Sequence, residues 1–467
     1  MKKYTYNYEI AVIGAGPAGI SAAIAAARRG RKVILLDKNG FLGGNATLGL
    51  PLLGFLDLDG RRIVGGLAQE YVERLQKRGS CLGHRTCPKH NSTTNINPED
   101  FKLLAIEMCR EAGVEILLHC EAVSVNKENG KIKTVTLYGK GNVVEVTADV
   151  FVDCTGDGDV AYLAGCSYSM GRGEAQVLQP PTVMFTLENV DTAKLFDYIE
   201  EHPEEMTYSA TIEHRPGYDA DYFRRSVNHV FVGLRHTFTR LREEGKLPVE
   251  RETLIYIKSL NPGEVYVNST RMLNTDATDI LSLTKAELDG QLQTFKLTEM
   301  LRENVPGFEN CFVSAIQPSI GVRETRRFSG IYELTADEIC AGKIDDQTIA
   351  LGAYKIDIHS GTDRTTIFKS VKEPFGIPYG VLVSDEISNL MFAGRNVSCD
   401  NEVLAAIRIM PQCMNMGEAA GIGAAMAIEN KIAPADVDVA QVRKALLDGG
   451  AILSMDQVFV HDEDMQG

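Results

Sequence analysis

The stretch from Glu9 to Asp37, EIAVIGAGPAGISAAIAAARRGRKVILLD, restricts the fold more than any other part of the chain. The apolar run EIAVI stops at Gly14, an alanine-rich segment begins at Pro17, and a second apolar run, KVILL, stops at Asp37. Short continuous apolar runs bounded by glycine read as strands buried on both faces, and Pro17 suits the first turn of a helix. Together they make one βαβ unit in about thirty residues. Within its turn, Gly14 permits the tight bend, Gly16 lets a pyrophosphate approach the backbone, and Gly19 lets helix and strand pack closely. The helix opening at Pro17 and Ala18 offers free amides and the positive end of its dipole. Asp37, 23 residues after Gly14, offers a carboxylate to a ribose diol. A bound dinucleotide is expected.

The remainder predicts an α/β fold: a Rossmann-like domain with a parallel sheet, and an inserted α+β substrate domain. A helix is expected at about 64–78 and another from the cap Asn97 to Ala112. Residues 114–147 read as four short strands broken at Lys127–Gly130 and Gly139–Asn142, and 149–153 as a further strand running into DCTGDGD. From 175 to 370 the texture is more charged, with helices near 219–244 and 276–304 and strands near 182–188, 253–258 and 264–269. Another buried strand is expected at 390–394, then a small-residue helix from Pro411 to Ile428. The expected domains are 1–174 and 371–467, which together bind the dinucleotide, and 175–370, which covers the substrate.

Four features favour FAD over NAD. Gly43-Gly44 sits just past Asp37, where a loop lies against the nucleotide. The DCTGDGD turn closes a later strand, and strand 390–394 rejoins the same sheet. The helix from Pro411 aims amides at the flavin edge that gains negative charge on reduction. The expected contacts are Gly14, Gly16, Pro17, Ala18, Gly19, Asp37, Lys38, Gly43, Gly44, Asn45, Val123, Thr155, Gly156, Asp157, Gly394, Arg395, Pro411 and Met414. The FAD is expected to be noncovalent, because no tyrosine, histidine or cysteine marks a linkage site.

Beyond the first motif stand GVRETRR at 321–327, KIDIHSG at 355–361, IPYG at 377–380, AGRNVS at 393–398 and AAIRIMPQCMNMGEAAG at 405–421. With these the chain resembles the FAD-dependent oxidoreductase family of the glutathione-reductase-like flavoproteins, kin to fumarate reductase and succinate dehydrogenase flavoprotein subunits. The resemblance runs from end to end and implies bound FAD and redox chemistry at the isoalloxazine. It supplies no substrate. Disulfide reductases carry a cysteine pair directly after the glycine pair, but here the sequence is Asn45-Ala46-Thr47-Leu48-Gly49. No second glycine fingerprint serves NAD(P)H, so an NAD(P)H donor would act without its own Rossmann domain. An electron-donor protein is the other expected source.

A net charge of −15 argues against nucleic acid, and no stretch is long and apolar enough to span a bilayer. Met1-Lys2-Lys3 before an apolar run imitates a secretory signal. The fixed glycine spacing and the flanking Glu9 and Arg28-Arg29 argue against that. The ten scattered cysteines fit a reducing cytoplasm.

The catalytic candidates are Arg323, Arg326, His359, Tyr379 and Arg408. Arg408 interrupts an apolar run and needs an anion, either Glu402, Glu418 or a substrate. Arg323 and Arg326 sit in charged sequence, where Glu324 or Asp385 would pair with them if they merely join domains. His359 titrates near neutrality and Tyr379 offers a phenol. Asn401 and Glu402 lead into the flavin-facing helix from Pro411 and are candidate caps for it. Cys81, His84, Cys87 and His90 recur at every third position. That spacing is tighter and more regular than structural zinc usually has, so no metal is assigned, while a metal or cluster, a disulfide, a substrate-side loop and no chemical role all stay open. The expected activity is hydride transfer between flavin N5 and a small polar, anionic substrate. The alternative is a flavin-bearing subunit of an electron-transfer complex, for which the 81–90 loop alone would hold a cluster.

Overall fold

The strand Lys2–Ile13 organises the computed structural model, which describes residues 1–206, 217–226 and 228–460. It runs parallel to Val33–Leu36 on one side and to the whole of Asn142–Asp153 on the other, from Lys2 opposite Asn142 to Ile13 opposite Asp153. Glu115–Leu117 extends the parallel sheet beyond Val33–Leu36, and Leu390–Phe392 joins it beside Phe151, Val152 and Asp153. Five parallel strands therefore end along one edge. The hairpin Glu121–Glu128 and Lys131–Gly139 adds antiparallel strands to the sheet. The strand expected at 149–153 is continuous with the one before it, because no turn residue separates VVEVTAD from VFVD.

The helices Pro17–Arg28 and Met410–Asn430 pack together against this sheet. A methyl group on Gly417 would meet the Ala18 carbonyl oxygen at 2.0 Å, and one on Gly421 would meet that of Ala22 at 2.2 Å. The small residues of both helices thus let their backbones touch.

The second unit is a five-stranded antiparallel sheet in the order Val230–Gly233, Leu254–Lys258, Val265–Val267, Phe185–Glu188, Phe312–Ile316. The helix Ile280–Asn304 lies with it. An aromatic core of its own includes Phe196 against Phe223, with ring centroids 5.4 Å apart, and Phe231 against Tyr256 at 4.9 Å. The single helix expected near 219–244 is two short ones, Ala220–Arg225 and Arg235–Glu243. Between them VFV pairs as a strand, because β-branched and aromatic residues fit a pleated surface better than a helix.

The far boundary of this unit also differs from the expected 370. Its core ends near Cys311, while Phe328, Leu334, Ile339, Leu351, Ile356 and Ile358 pack into the core of the nucleotide sheet. Phe328 stacks on Phe392 with centroids 5.8 Å apart, which ties that segment to the returning strand. Among the described residues no helix is long and apolar enough to cross a membrane.

Candidate active site

The carboxyl ends of the five parallel strands surround a cavity of about 420 Å³. Ligand crevices of open α/β sheets lie at this edge. Gly14 has φ +99°, and a methyl there would lie 2.3 Å from the Cys154 carbonyl oxygen. Nothing lies within 4 Å of the methyl position at Gly16, so the turn stays open toward the cavity. The amide of Gly43 donates to the Ala15 carbonyl at 2.8 Å, laying the second glycine loop across the first. The Asp37 carboxylate accepts from the amides of Ala15, at 2.5 Å, and Asn39, at 2.7 Å, which holds it at the rim. Arg395 donates to Asp157 at 3.0 Å, while its Nη1 is buried without a hydrogen-bond partner. An open glycine turn at a helix N-terminus, an anchored carboxylate and a spare guanidinium nitrogen suit a dinucleotide diphosphate.

Of the contacts expected from sequence, Gly14, Gly16, Pro17, Ala18, Asp37, Lys38, Gly44, Asn45, Thr155, Gly156, Asp157, Gly394 and Arg395 line this cavity. Gly19 and Gly43 stand behind it, where Gly19 packs on the Gly14 carbonyl. Met410 and Cys413, three apart on one helical face, take the place expected of Pro411 and Met414. Val123 is a correction. The strand register shifts between Ala122 and Ser124, Val123 is half exposed, and Cys120 and Ala122 line the cavity instead.

Asn45, Val322, Arg395, Arg408 and Met410 also line a second chamber of about 220 Å³, so the two spaces meet at these residues. Among the described residues, the chamber collects Lys89, Arg251, Arg271, Arg323, Lys355, Arg364, Arg395 and Arg408 against only Glu252 and Asp357. Arg323 donates to the Pro180 carbonyl at 2.6 Å and to Thr182 at 2.7 Å. Arg271 donates to the carbonyls of Ser360, at 2.7 Å, and Thr365, at 3.0 Å. Arg408 reaches the Asp357 carbonyl at 3.2 Å and Gln179 at 3.4 Å. The Nε atoms of Arg251, Arg271 and Arg408 are buried without a hydrogen-bond partner. None of these four guanidiniums lies within 4.0 Å of a carboxylate among the described residues. Both carboxylates offered to Arg408 by sequence are engaged elsewhere. Glu402 pairs with Lys369 at 2.6 Å, and Glu418 accepts from the Leu67 amide at 3.0 Å. Glu324 pairs with Arg327 at 2.9 Å, not with Arg323.

The electrostatics follow from this crowding. Burial, then the neighbouring Arg408 and Arg271, pushes Arg323 down to about 9. Burial takes Arg271 down to about 10, and burial with Arg323 and Arg271 takes Arg251 well below its usual range. Burial would raise the Asp357 carboxyl, but His359, Arg408 and Lys355 together hold it well below the carboxylate range. His359 has Nε2 3.5 Å from Asp357 and Nδ1 3.1 Å from Thr366. Its burial, with Arg323 and Arg251 nearby, outweighs Asp357 and lowers it to about 3. A neutral imidazole thus faces an ionised carboxylate inside a field of cations.

Two catalytic candidates lie elsewhere. Tyr379 is buried behind the helix Met410–Asn430, against Gly423, and its hydroxyl donates to the Pro434 carbonyl at 3.2 Å. Arg326 lies over the DCTGDGD turn, 3.4 Å from Asp159, with its guanidinium 4.1 Å above the Tyr162 ring. It lines neither cavity. Asn401 and Glu402 open a short helix of their own, Asn401–Ile407, capped by Asp400, and so do not cap the helix Met410–Asn430, which follows Ile409. Cys81 to His90 leads through a tight hairpin, Arg85–Cys87 and Asn91–Thr93. His84 is held between Thr94, at 2.8 Å, and Gln69, at 2.9 Å, and stacks on Phe55. Cys87 Sγ lies 3.4 Å from His90 Nδ1, and His90 and Lys89 line the chamber. The hairpin therefore divides the four residues between the core and the chamber wall.

Sequence reasoning missed Arg251, Arg271, Lys89, Lys355, Arg364 and Asp357. Asp357 carried a signal, since Asp357 and His359 alternate along the strand Ile356–His359, just after Lys355, while Ile356 and Ile358 face the core. The arginines carried none.

A parallel sheet bearing a glycine turn, an acid after the second strand and a returning late strand defines a dinucleotide-binding redox architecture. Residues 9–446 match the FAD dependent oxidoreductase family, and the chain belongs to it. It is an oxidoreductase whose cofactor is FAD. An uncharacterized protein in the nifH2 5′ region of Methanosarcina barkeri is 26% identical over 187 residues, covering 37% of this chain and 95% of that protein. The soluble pyridine nucleotide transhydrogenase of Ectopseudomonas mendocina is 52% identical over 42 residues, so the match spans only 9% of either protein. Among solved structures, a geranylgeranyl bacteriochlorophyll reductase-like protein from Thermoplasma acidophilum has a TM-score of 0.46 at 14% identity, covering 95% of this chain and 83% of that one. The p-nitrophenol 4-monooxygenase of Pseudomonas putida has a TM-score of 0.46 at 10% identity, covering 98% and 89%.

Proposed function

We propose that the enzyme moves a hydride between FAD and a small anionic substrate held in the basic chamber. Gly14 to Ala18, the first helix and Arg395 would hold the diphosphate, Asp37 a ribose, and Asn45, Val322 and Met410 the redox-active end. Bound FAD supplies the two-electron centre that accepts or gives the hydride. The reading is carried by the four guanidiniums of Arg251, Arg271, Arg323 and Arg408, which share a chamber opening onto the nucleotide cavity and lack carboxylate partners among the described residues. Clustered, partly desolvated cations repel one another, and an anion between them relieves that repulsion. Arg408, at the junction, orients the anion toward the flavin end, and Arg323 grips it from the chamber side.

His359 handles the accompanying proton at its imidazole, with Asp357 stabilising the charged form and Thr366 fixing the ring. An anion beside Arg323 cancels part of the field that holds His359 neutral, so substrate arrival itself raises the affinity of this ring for a proton.

The test uses anaerobic holoenzyme. Dithionite-reduced protein is mixed with unsaturated acids and oxidised protein with hydroxy and amino acids, while the flavin absorbance is followed. At least one acid is expected to exchange electrons with the flavin, and Arg323→Gln and Arg408→Gln to slow that exchange by about 100-fold. Turnover of uncharged or cationic compounds alone would overturn the reading.

A further inference from the structure

The chamber is basic on one side and apolar on another. Two neighbouring strands of the second sheet turn alternate side chains toward it: Val230 and Val232 from one, Ile255 and Ile257 from the other. Their antiparallel register sets Val230 opposite Ile257 and Val232 opposite Ile255, so the four make one continuous hydrocarbon tile. Phe231 and Tyr256, at the intervening positions, face away and stack in the core of the unit. The strands of that sheet also lie close in sequence to Arg251, before Leu254–Lys258, and Arg271, after Val265–Val267. One sheet therefore offers an apolar floor with guanidiniums beside it. Val230, Val232 and Ile257 are nearly closed over by the protein and Ile255 stays part-exposed, so a small ligand charged at both ends would satisfy the arginines and leave Ile255 without a hydrocarbon partner.

We propose that the substrate is an amphipathic organic acid, whose carboxylate meets the arginines and whose aromatic or branched hydrocarbon body lies on the Val230–Val232–Ile255–Ile257 tile. This rests on the reading of the chamber as an anion-binding substrate site. Size agrees with it. An apolar cavity of roughly 150 Å³ takes one benzene ring, and this chamber of about 220 Å³ takes one ring and a short acid chain. The arginines set the orientation, since charge-assisted hydrogen bonds are directional. The tile sets the selectivity between acids, since its contribution grows with the apolar area covered.

FAD-loaded enzyme is titrated with trans-cinnamate, cinnamyl alcohol, fumarate and succinate, and the perturbation of the flavin spectrum gives each affinity. Cinnamate is expected to bind about tenfold or more tighter than either dicarboxylate and than cinnamyl alcohol. Ile255→Thr keeps a β-branched residue in the strand while adding a hydroxyl to the tile. It is expected to weaken cinnamate by about fivefold and to change succinate by less than about twofold. Val232→Thr, closer still in shape, serves as the second variant if the first does not fold. Dicarboxylates that bind as tightly as cinnamate would overturn the amphipathic assignment and leave the anion site standing. Cinnamyl alcohol that binds as tightly as cinnamate, or a flavin spectrum indifferent to every acid, would bring down the anion site itself.

Discussion

A guanidinium in water and a guanidinium in a cavity are the same residue with different free energies, and that difference is the core of this site. Arg408 holds only neutral acceptors, and its Nε has no partner among the described residues. Arg408→Gln is therefore expected to abolish saturable binding of organic acids, seen as loss of the flavin spectral perturbation, while FAD stays bound. His359 stands apart from that task. With the ring neutral and set between Thr366 and Asp357, His359→Gln is expected to cut kcat by about 100-fold or more while leaving KM within about threefold. The two glycines of the turn separate folding from cofactor binding. Gly16→Val adds a side chain where no neighbour lies within 4 Å, so the protein is expected to fold with an unchanged circular dichroism spectrum. Its flavin absorbance per mole of protein should fall by about tenfold or more, because the added bulk lies where a diphosphate would approach the backbone. Gly14→Val, by contrast, meets the Cys154 backbone and loses both.

At the scale of elements, the contact of the helices Pro17–Arg28 and Met410–Asn430 does two jobs. It closes the hydrophobic layer over the sheet, and it brings the glycine turn and the Met410 end to one cavity. Gly421 faces the Ala22 carbonyl too closely for any side chain. Gly421→Leu is expected to separate the helices at a cost of about 3 kcal/mol or more, measured as a lowered thermal midpoint, and to reduce FAD content with it. The elements themselves were largely legible. Runs such as KVILL, the Asn97 cap, whose side chain accepts from the amides of Glu99 and Asp100, and the breaks at Lys127–Gly130 and Gly139–Asn142 are local signals. Misreadings arose where neighbours in space decided the outcome. VFV became a strand because Leu254–Lys258 offers it a partner, and Val123 turned outward because the register shifts beside it.

At the scale of the whole molecule, one buried carboxyl reports on the assembly. Glu418, in the long helix, reaches across to the Leu67 amide at the start of the helix Gly66–Lys77, and burial raises it from 4.5 to about 7. The folded protein thus holds this proton more tightly than the unfolded chain. Its stabilising effect is complete below the unfolded value near 4.5 and is lost as the pH rises through about 7, amounting to about 3 kcal/mol. Glu418→Gln, which keeps the acceptor without the charge, is expected to raise stability at pH 8 over the native protein. It should also flatten the dependence between pH 5 and 8, as followed by denaturant unfolding.

The sequence by itself determined the strand–turn–helix–strand unit, its glycine spacing and its acid. Those features rest on the steric limits of a few consecutive residues and on the two- and 3.6-residue periods of the backbone. Tertiary structure alone decided that Arg251, Arg271, Arg323 and Arg408 share one chamber, that Tyr379 and Arg326 lie outside it, and that a hydrocarbon tile faces the cations. Arg251 lies between Glu250 and Glu252, and Arg271 follows Asn268-Ser269-Thr270, so in the chain both look like ordinary solvated residues. Whether a charge is solvated or confined depends on which distant strands close over it, and no local pattern records that.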